Sequence, residues 1–504
     1  MKKNSFNERF QYQCVYTGLC IVLFLIVLSS AFGEKVAYND GAGWDGLFYR
    51  NVCYDFSDMI LDHQYDTYRI QRILPFGIIN VIYNLFHIDK TNSSFLYGIQ
   101  ILNIITLGIG VFYFFRVSKK LEFSVSSVII GFSAIFFNYP ILKLMGYYPF
   151  LTDTYALVLA IIQFNYFVSK RTIQLVIVSI FGAFTWPALF LCGLILAFLP
   201  GREIELQIPQ NKLEKKILSF LKMGISVAIP IIFILVFYFY YVVIRGHDIQ
   251  NWYTISVNWF FIILALITTP IYIWLLIKPI NISFGSTIKN FFMAIKPLQI
   301  GLLVIVYIVI KSVQQYLSNG TALVSIIGMV AGRILIPATQ APFAYLVCNF
   351  MYYGLIVIFL CIYWNDAIKR YANYGYSFFI VIILGLIMSL NTESRHLLSF
   401  VPFLILPFIE VINKRFNVKF SIIFSIASLA LSRFWFKINV EGIEEAFEDW
   451  TIGSYESFPA QRYFMAQGPW MSYSMYVLFL GVFVLSFISG YLYLKKVGIF
   501  SKNK

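Results

Sequence analysis

Apolar positions along the chain form long unbroken runs rather than the alternations of a soluble fold. The runs cover roughly 14–33, 95–115, 124–141, 152–168, 173–186, 187–199, 223–244, 257–277, 297–316, 343–364, 375–391, 397–412, 418–434 and 473–494. Several reach or approach the roughly 20 residues needed to cross a bilayer as a helix. The pattern predicts an all-α polytopic membrane protein with about fourteen transmembrane helices, both termini cytoplasmic. The least regular stretch is 173–199, where "TWP" at 185–187 predicts a tight hairpin of two helices.

"LPFGIINVIYNLFHI" at 74–88 is apolar but short. Counting it as a span would put "RVSKK" (116–120) outside, so it reads as a re-entrant or interfacial helix. Residues 34–94 then form one long outer segment. Residues 1–434 make the main membrane region, 435–472 an outer loop or small subdomain, and 473–504 the last span with a basic tail.

Composition agrees. The 504 residues are 60% hydrophobic and 12% charged, where soluble chains carry about 25% charge. The net charge of +14 does not indicate nucleic acid, because the basic residues sit in short clusters between apolar runs. Arg116, Lys119 and Lys120, Lys170 and Arg171, and Lys414, Arg415 and Lys419 are such clusters. That distribution fixes orientation in a membrane. The six cysteines show no CxxC and no metal-ligand spacing. The short basic loops leave no room for a nucleotide-binding domain, and no P-loop is present.

The polar residues that require a reason lie on the expected outer side. Asp40 and Asp45 fall in "NDGAGWDGLFYRNV" (39–52), directly after the first apolar run. Capping and Gly-rich turns account for such aspartates structurally. A carboxylate among aromatic residues is also partly desolvated, which raises its basicity and suits a general base. Asp153 starts a span in "YYPFLTDTYALVL" (147–159), an N-cap or a second carboxylate directed at the first loop. Arg69 and Arg72 lie in "YRIQRILP" (68–75), Arg333 stands alone in "GMVAGRILIP" (328–337), and Arg395 and His396 lie in "TESRHLLSFVP" (392–402). Snorkelling explains an interfacial arginine; several on one side, beside helix ends, suit a phosphate at the bilayer surface.

In this order and sidedness the motifs resemble the GT-C superfamily of polytopic glycosyltransferases. "WDGLFYRNV" is similar to its first acidic motif, with Asp45 at the acidic position and Asp40 as the rival. "YRIQRILP" is similar to the aromatic/Arg–Pro stretch that follows, "YYPFLTDTYALVL" to the second-loop motif with Asp153 at its acid, and "GAFTWPALF" (182–190) to a Gly-then-Pro hairpin. "TESRHLLSFVP" is similar to a late Arg-to-Pro segment. The resemblance covers residues 14–200 and 392–402. It implies a polyprenyl-phosphate-linked sugar as donor and a glycan or lipid-linked acceptor at the outer face of the membrane; the high Ile, Lys, Asn and Phe content suggests a bacterial inner membrane. Asp45 would be the base. Asp153 would orient the acceptor, or with Asp45 bind a divalent metal such as Mg or Mn. Arg333, Arg395, Arg72, Arg69 and His396 would hold the donor phosphate. The competing readings are an O-antigen-type polysaccharide polymerase and a non-enzymatic transporter or flippase of lipid-linked sugar. A transporter places its key charges near the bilayer midplane.

Overall fold

A computed structural model describes residues 2–206, 211–236, 258–281, 284–321, 341–448, 459 and 471–496. These residues are helical without strands. The order is α1 (Lys2–Ala31), α2 (Gly43–Leu61), α3 (Leu74–Leu85), α4 (Asn92–Lys120), α5 (Val125–Phe136), α6 (Met145–Tyr147), α7 (Asp153–Val168), α8 (Thr172–Ala183) and α9 (Pro187–Phe198). Then come α10 (Lys212–Val236), α11 (Trp259–Ile277), α12 (Phe284–Ala294), α13 (Pro297–Leu317), α14 (Ala344–Tyr353), α15 (Ile356–Ile362), α16 (Trp364–Asn373) and α17 (Tyr376–Ser389). The last are α18 (Val401–Ile412), α19 (Val418–Leu431), α20 (Ile443–Glu448) and α21 (Tyr473–Lys496).

Among the described residues, five helices are long and apolar enough to cross a membrane: Gln11–Ala31, Asn92–Lys120, Phe260–Ile277, Pro297–Leu317 and Tyr473–Lys496. A sixth forms if Val125–Phe136 and Pro140–Tyr147, bent by 53°, count as one span. The sequence pattern predicts about fourteen. Part of the predicted runs, such as 237–244 and 257, lies outside the described residues, and several of the others hold shorter helices. Seven further apolar helices have only 10–17 residues, and a 12-residue helix is about 18 Å long against a hydrocarbon core of about 30 Å. The run 343–364 is broken at Gly354, whose φ is +78°. The run 173–199 divides as "TWP" predicts, with Trp186 extended and Pro187 opening α9. Gly193 lets the two arms close, because a Cβ there would lie 1.7 Å from Ser179 Oγ and 2.6 Å from Gln163 Nε2. The stretch 74–88 holds a single 12-residue helix, α3. Arg333 and much of the 435–472 segment lie outside the described residues.

Exposed apolar side chains recur at helical spacing on the long helices: Ile101, Ile105, Ile109 and Phe112 on α4, and Phe260, Ile263, Ile267 and Ile271 on α11. Such stripes are costly in water and satisfied in lipid, so the chain has the surface of an integral membrane protein. The core runs through α7, which is buried along most of its length, with Ala156, Leu157, Ala160, Ile161 and Phe164 among its buried residues. A helix apolar on all sides belongs inside a bundle. Phe164 meets Phe378 at 5.9 Å and Phe403 at 6.4 Å between ring centres, which locks α7 to α17 and α18.

The end of α1 is fastened by Glu34. Its carboxylate accepts from Lys143 Nζ at 2.6 Å and from the backbone N–H groups of Ile438 and Asn439 at 2.7 and 2.8 Å. Tyr147 donates to Asn439 Oδ1 at 3.0 Å, and the Val36 N–H donates to the Tyr147 carbonyl at 2.9 Å. Burial raises the Glu34 pKa, but the hydrogen bonds from Lys143, Ile438 and Asn439 lower it below its usual value. A carboxyl with a lowered folded-state pKa stabilises the fold above its unfolded pKa, and that contribution disappears as pH falls through the folded value. Glu34→Gln strands Lys143, 7% exposed, and is expected to cost ~3 kcal/mol. Thermal melting in detergent should show several degrees of loss at pH 7 and a shrinking gap to the parent as the pH drops through the Glu34 pKa. A constant gap across that range would show that the charge is not the source.

Candidate functional site

Four segments meet at one end of α7. The first is the start of α2, where Asp45 lies in the first turn, a position that a helix dipole favours for an anion. Two glycines flank Asp45 for a steric reason. A Cβ on Gly43 would lie 2.5 Å from the Tyr148 ring, and one on Gly46 would lie 2.9 Å from Phe150 Cβ. Gly43 also has φ +70°, in the region that favours glycine. Their absence of side chains lets the 147–153 loop lie directly on the α2 backbone, with the Gly46 N–H reaching the Tyr148 hydroxyl at 3.4 Å. That loop carries Asp153, and the "WDG" motif therefore brings the two carboxylate-bearing segments together.

The 147–153 loop is also held from α4. Asn103 Nδ2 donates to the Pro149 carbonyl at 2.9 Å. Asp153 is 5% exposed, and its two oxygens meet no donor other than its own backbone amide. Its charged neighbours are Arg395, Arg72 and Glu393. A buried carboxylate is costly without such partners, and its unsatisfied oxygens are the kind of exception that functional sites contain.

Arg69 and Arg72 sit on a 3-10 turn, Arg69–Arg72. Asp66 Oδ1 accepts from the N–H groups of Tyr68 and Arg69, each at 2.8 Å, and so shapes the turn. The N–H of Leu74 donates to the Phe184 carbonyl at 3.0 Å, docking this turn on the α8–α9 hairpin. The Arg72 guanidinium lies over Tyr68 at 4.7 Å and Trp186 at 4.5 Å. Arg72 is 5% exposed, its Nε has no hydrogen-bond partner, and among the described residues it makes no ion pair. Arg69 is turned elsewhere, to Asp66 at 3.5 Å and the Phe48 ring at 4.3 Å.

Arg395 and His396 occupy a second 3-10 turn, Ser394–Leu397. Tyr353 donates to the Ser394 carbonyl at 2.5 Å and the Glu393 N–H donates to Asn391 Oδ1 at 2.8 Å. Arg395 Nε donates to Glu393 at 2.6 Å, and Arg395 Nη2 lies 3.7 Å from Asp45 Oδ2. Burial alone would lower the Arg395 pKa; the charges of Glu393, Asp153 and Asp45 more than reverse this and hold it well above its usual value. His396 Nδ1 is 2.9 Å from Asn391 Nδ2 and 3.7 Å from Glu393. Tyr49 and Tyr148 face the same charges, and burial, with Asp45 adding to it, keeps both phenols protonated as neutral donors.

The structure thus gathers Asp45, Asp153, Arg72, Arg395 and His396. It does not gather Asp40, which has φ +51°, is 76% exposed and lies 4.0 Å from Arg50, and accepts from Asn92 at 3.1 Å. The sequence pattern does not single out Glu393, although it lies two residues before Arg395 in the same short loop. Nor does it single out Tyr49, Tyr68, Tyr148 and Trp186, which are ordinary interfacial aromatics until the fold places them around two arginines.

Asp45 and Asp153 are the residues a divalent metal would take. Among the described residues no three His, Cys, Asp or Glu side chains come together as a ligand set, and these two carboxylates face guanidinium groups. The donor set fits charge pairing and proton transfer. What the site offers chemically is a half-exposed carboxylate, Asp45, two buried carboxylates, Asp153 and Glu393, and two arginines within one polar cluster. Compared with protein-family models, curated proteins and solved structures, the chain matches none.

Proposed function

We propose that the protein is a membrane glycosyltransferase that moves a sugar from a polyprenyl-phosphate donor to a glycan or lipid-linked acceptor at the outer face of the membrane. The helices of crossing length and the half-length apolar helices together would form a GT-C-like bundle. The observation that carries the reading is the pairing of Asp45 with Arg395 beside buried Asp153 and Arg72. An acceptor hydroxyl attacks the anomeric carbon, and the bond from that carbon to the phosphate oxygen breaks. The phosphate leaves with the electron pair, and Asp45, 45% exposed, takes the hydroxyl proton. Attack opposite the leaving group inverts the configuration.

Arg72 supplies the charge for the leaving phosphate, since it has no carboxylate partner among the described residues and an unsatisfied Nε. Preorganised donors aimed at developing charge supply much of the rate enhancement in many such reactions. Arg395 is shared among Glu393, Asp45 and Asp153; it fixes the Asp45 carboxylate and lends part of its charge to the phosphate. Asp153, whose burial raises its pKa, is one of the acids beside Arg395 and orients the acceptor. Arg333 remains a sequence-derived candidate for the phosphate.

Transfer from polyprenyl-phosphate sugar in membranes, normalised to protein level, tests these roles. Asp45→Asn keeps the size of the side chain but cannot accept the proton, and should lower turnover by about 10²–10⁴ with little change in melting. Asp40→Asn should leave turnover within about twofold, on the scale of a surface change. Loss in Asp40→Asn with normal Asp45→Asn would move the base, and normal turnover in both would favour the transporter.

Arg72→Lys is expected to raise the donor KM by about tenfold or more, because a lysine loses the planar fork and the stacking between Tyr68 and Trp186. An unchanged KM in both Arg72→Lys and Arg72→Ala would remove Arg72 from the donor site.

A further inference from the structure

A second cavity lies past the opposite end of α7. The helix has 16 residues, so its two ends are about 24 Å apart, and the cavity shares no lining residue with the Asp45 site. Its volume is about 320 Å³, its rim carries Lys170, Arg171, Arg202 and Lys296, and its lining contains no carboxylate. The four cations come from three separate stretches: the α7–α8 turn, the segment after α9 and the start of α13.

The cavity is built rather than incidental. The segment holding Arg202 is fixed by backbone bonds, with the Tyr376 N–H donating to the Arg202 carbonyl at 3.1 Å, Ser377 N–H to Pro200 at 2.9 Å and Ile204 N–H to Ala372 at 3.0 Å. Gly375 permits this approach: its φ is +97°, and a Cβ there would lie 2.4 Å from the Gly201 carbonyl oxygen. Arg171 and Lys296 are the N-cap residues of α8 and α13, neither side chain makes a capping bond, and neither first turn contains an acid. Helix N-termini carry partial positive charge and favour anions, so these cations add to the potential instead of offsetting it. Lys120, whose Nζ donates to Ser169 Oγ at 3.0 Å, adds another positive charge beside the same turn.

Like charges brought together on a rigid frame suit a polyanionic group such as phosphate. The setting favours a lipid as its carrier. Buried Leu175 and Leu196 form an apolar wall below the cations. Ile173, Ile177, Leu298 and Leu302 are exposed on the adjoining surfaces of α8 and α13, where acyl chains would lie. We propose that this cavity binds the phosphate headgroup of an anionic membrane lipid at the basic end of the bundle. The proposal is independent of the transfer reaction.

The test uses the full chain in phosphatidylcholine nanodiscs doped with phosphatidylglycerol, read by native mass spectrometry of retained lipid and by thermal melting. Phosphatidylglycerol should be retained over phosphatidylcholine and should raise the melting temperature. Lys170→Gln, Arg171→Gln, Arg202→Gln and Lys296→Gln should each weaken retention by about fivefold. Arg171→Lys should keep most of it, which separates charge loss from misfolding. Lys215→Gln combined with Lys216→Gln, on exposed cations of α10, should change nothing. Equal retention of both lipids, or equal loss in the α10 variant, would overturn the site. In detergent, millimolar inorganic phosphate should stabilise the protein far less than phosphatidylglycerol. Equal stabilisation would overturn the lipid assignment in favour of a free anion.

Discussion

The arrangement at the head of α7 depends on one buried guanidinium. Arg395 has a side chain 11% exposed, and a charge taken that far out of water is tolerated only with close countercharges. Those countercharges come from three places far apart in sequence: Glu393 beside it, Asp45 at the start of α2 and Asp153 at the start of α7. Bringing them together requires the 147–153 loop to lie on the α2 backbone, which the two glycines around Asp45 allow. It also requires the 392–398 turn to be docked by Tyr353. The polar cluster and the packing that surrounds it therefore form together.

The same arrangement uses α7, buried along most of its length, as its support. Its sides are apolar and its ends are charged. At one end the charges are mixed and buried, and at the other they are positive and on a rim. The bundle around α7 thus has an apolar core and two polar ends of different composition. The half-length helices around α7 supply the surfaces on which 3-10 turns and short loops can present side chains inside the bundle, where backbone polar groups must still find partners.

The helical class, the hairpin at Trp186 and Pro187, and the short helix at 74–88 are legible from periodicity and proline placement. The number of crossing helices is not, because an apolar run does not reveal a break such as that at Gly354 or a half-length helix such as α18. Asp45, Asp153, Arg72 and Arg395 stand out because charge beside an apolar run needs a reason. Their convergence cannot be read, since it rests on contacts between Gly43 and Tyr148 and between Gly46 and Phe150 that no local pattern encodes. Asp40 and Asp45 look alike in sequence, and only the fold separates a solvent-exposed turn residue from one facing an arginine. Glu393 escapes notice because an acid next to an arginine reads as a surface pair.

The proposed consumption of a lipid-linked sugar is tested most directly by a profile of polyprenyl-phosphate sugars and envelope glycans in cells with and without the protein. Loss should leave one polyprenyl-phosphate sugar in excess and one glycan shortened or lacking a residue, with both restored by the parent chain. An unchanged lipid-linked sugar pool together with an unchanged glycan profile would contradict the account.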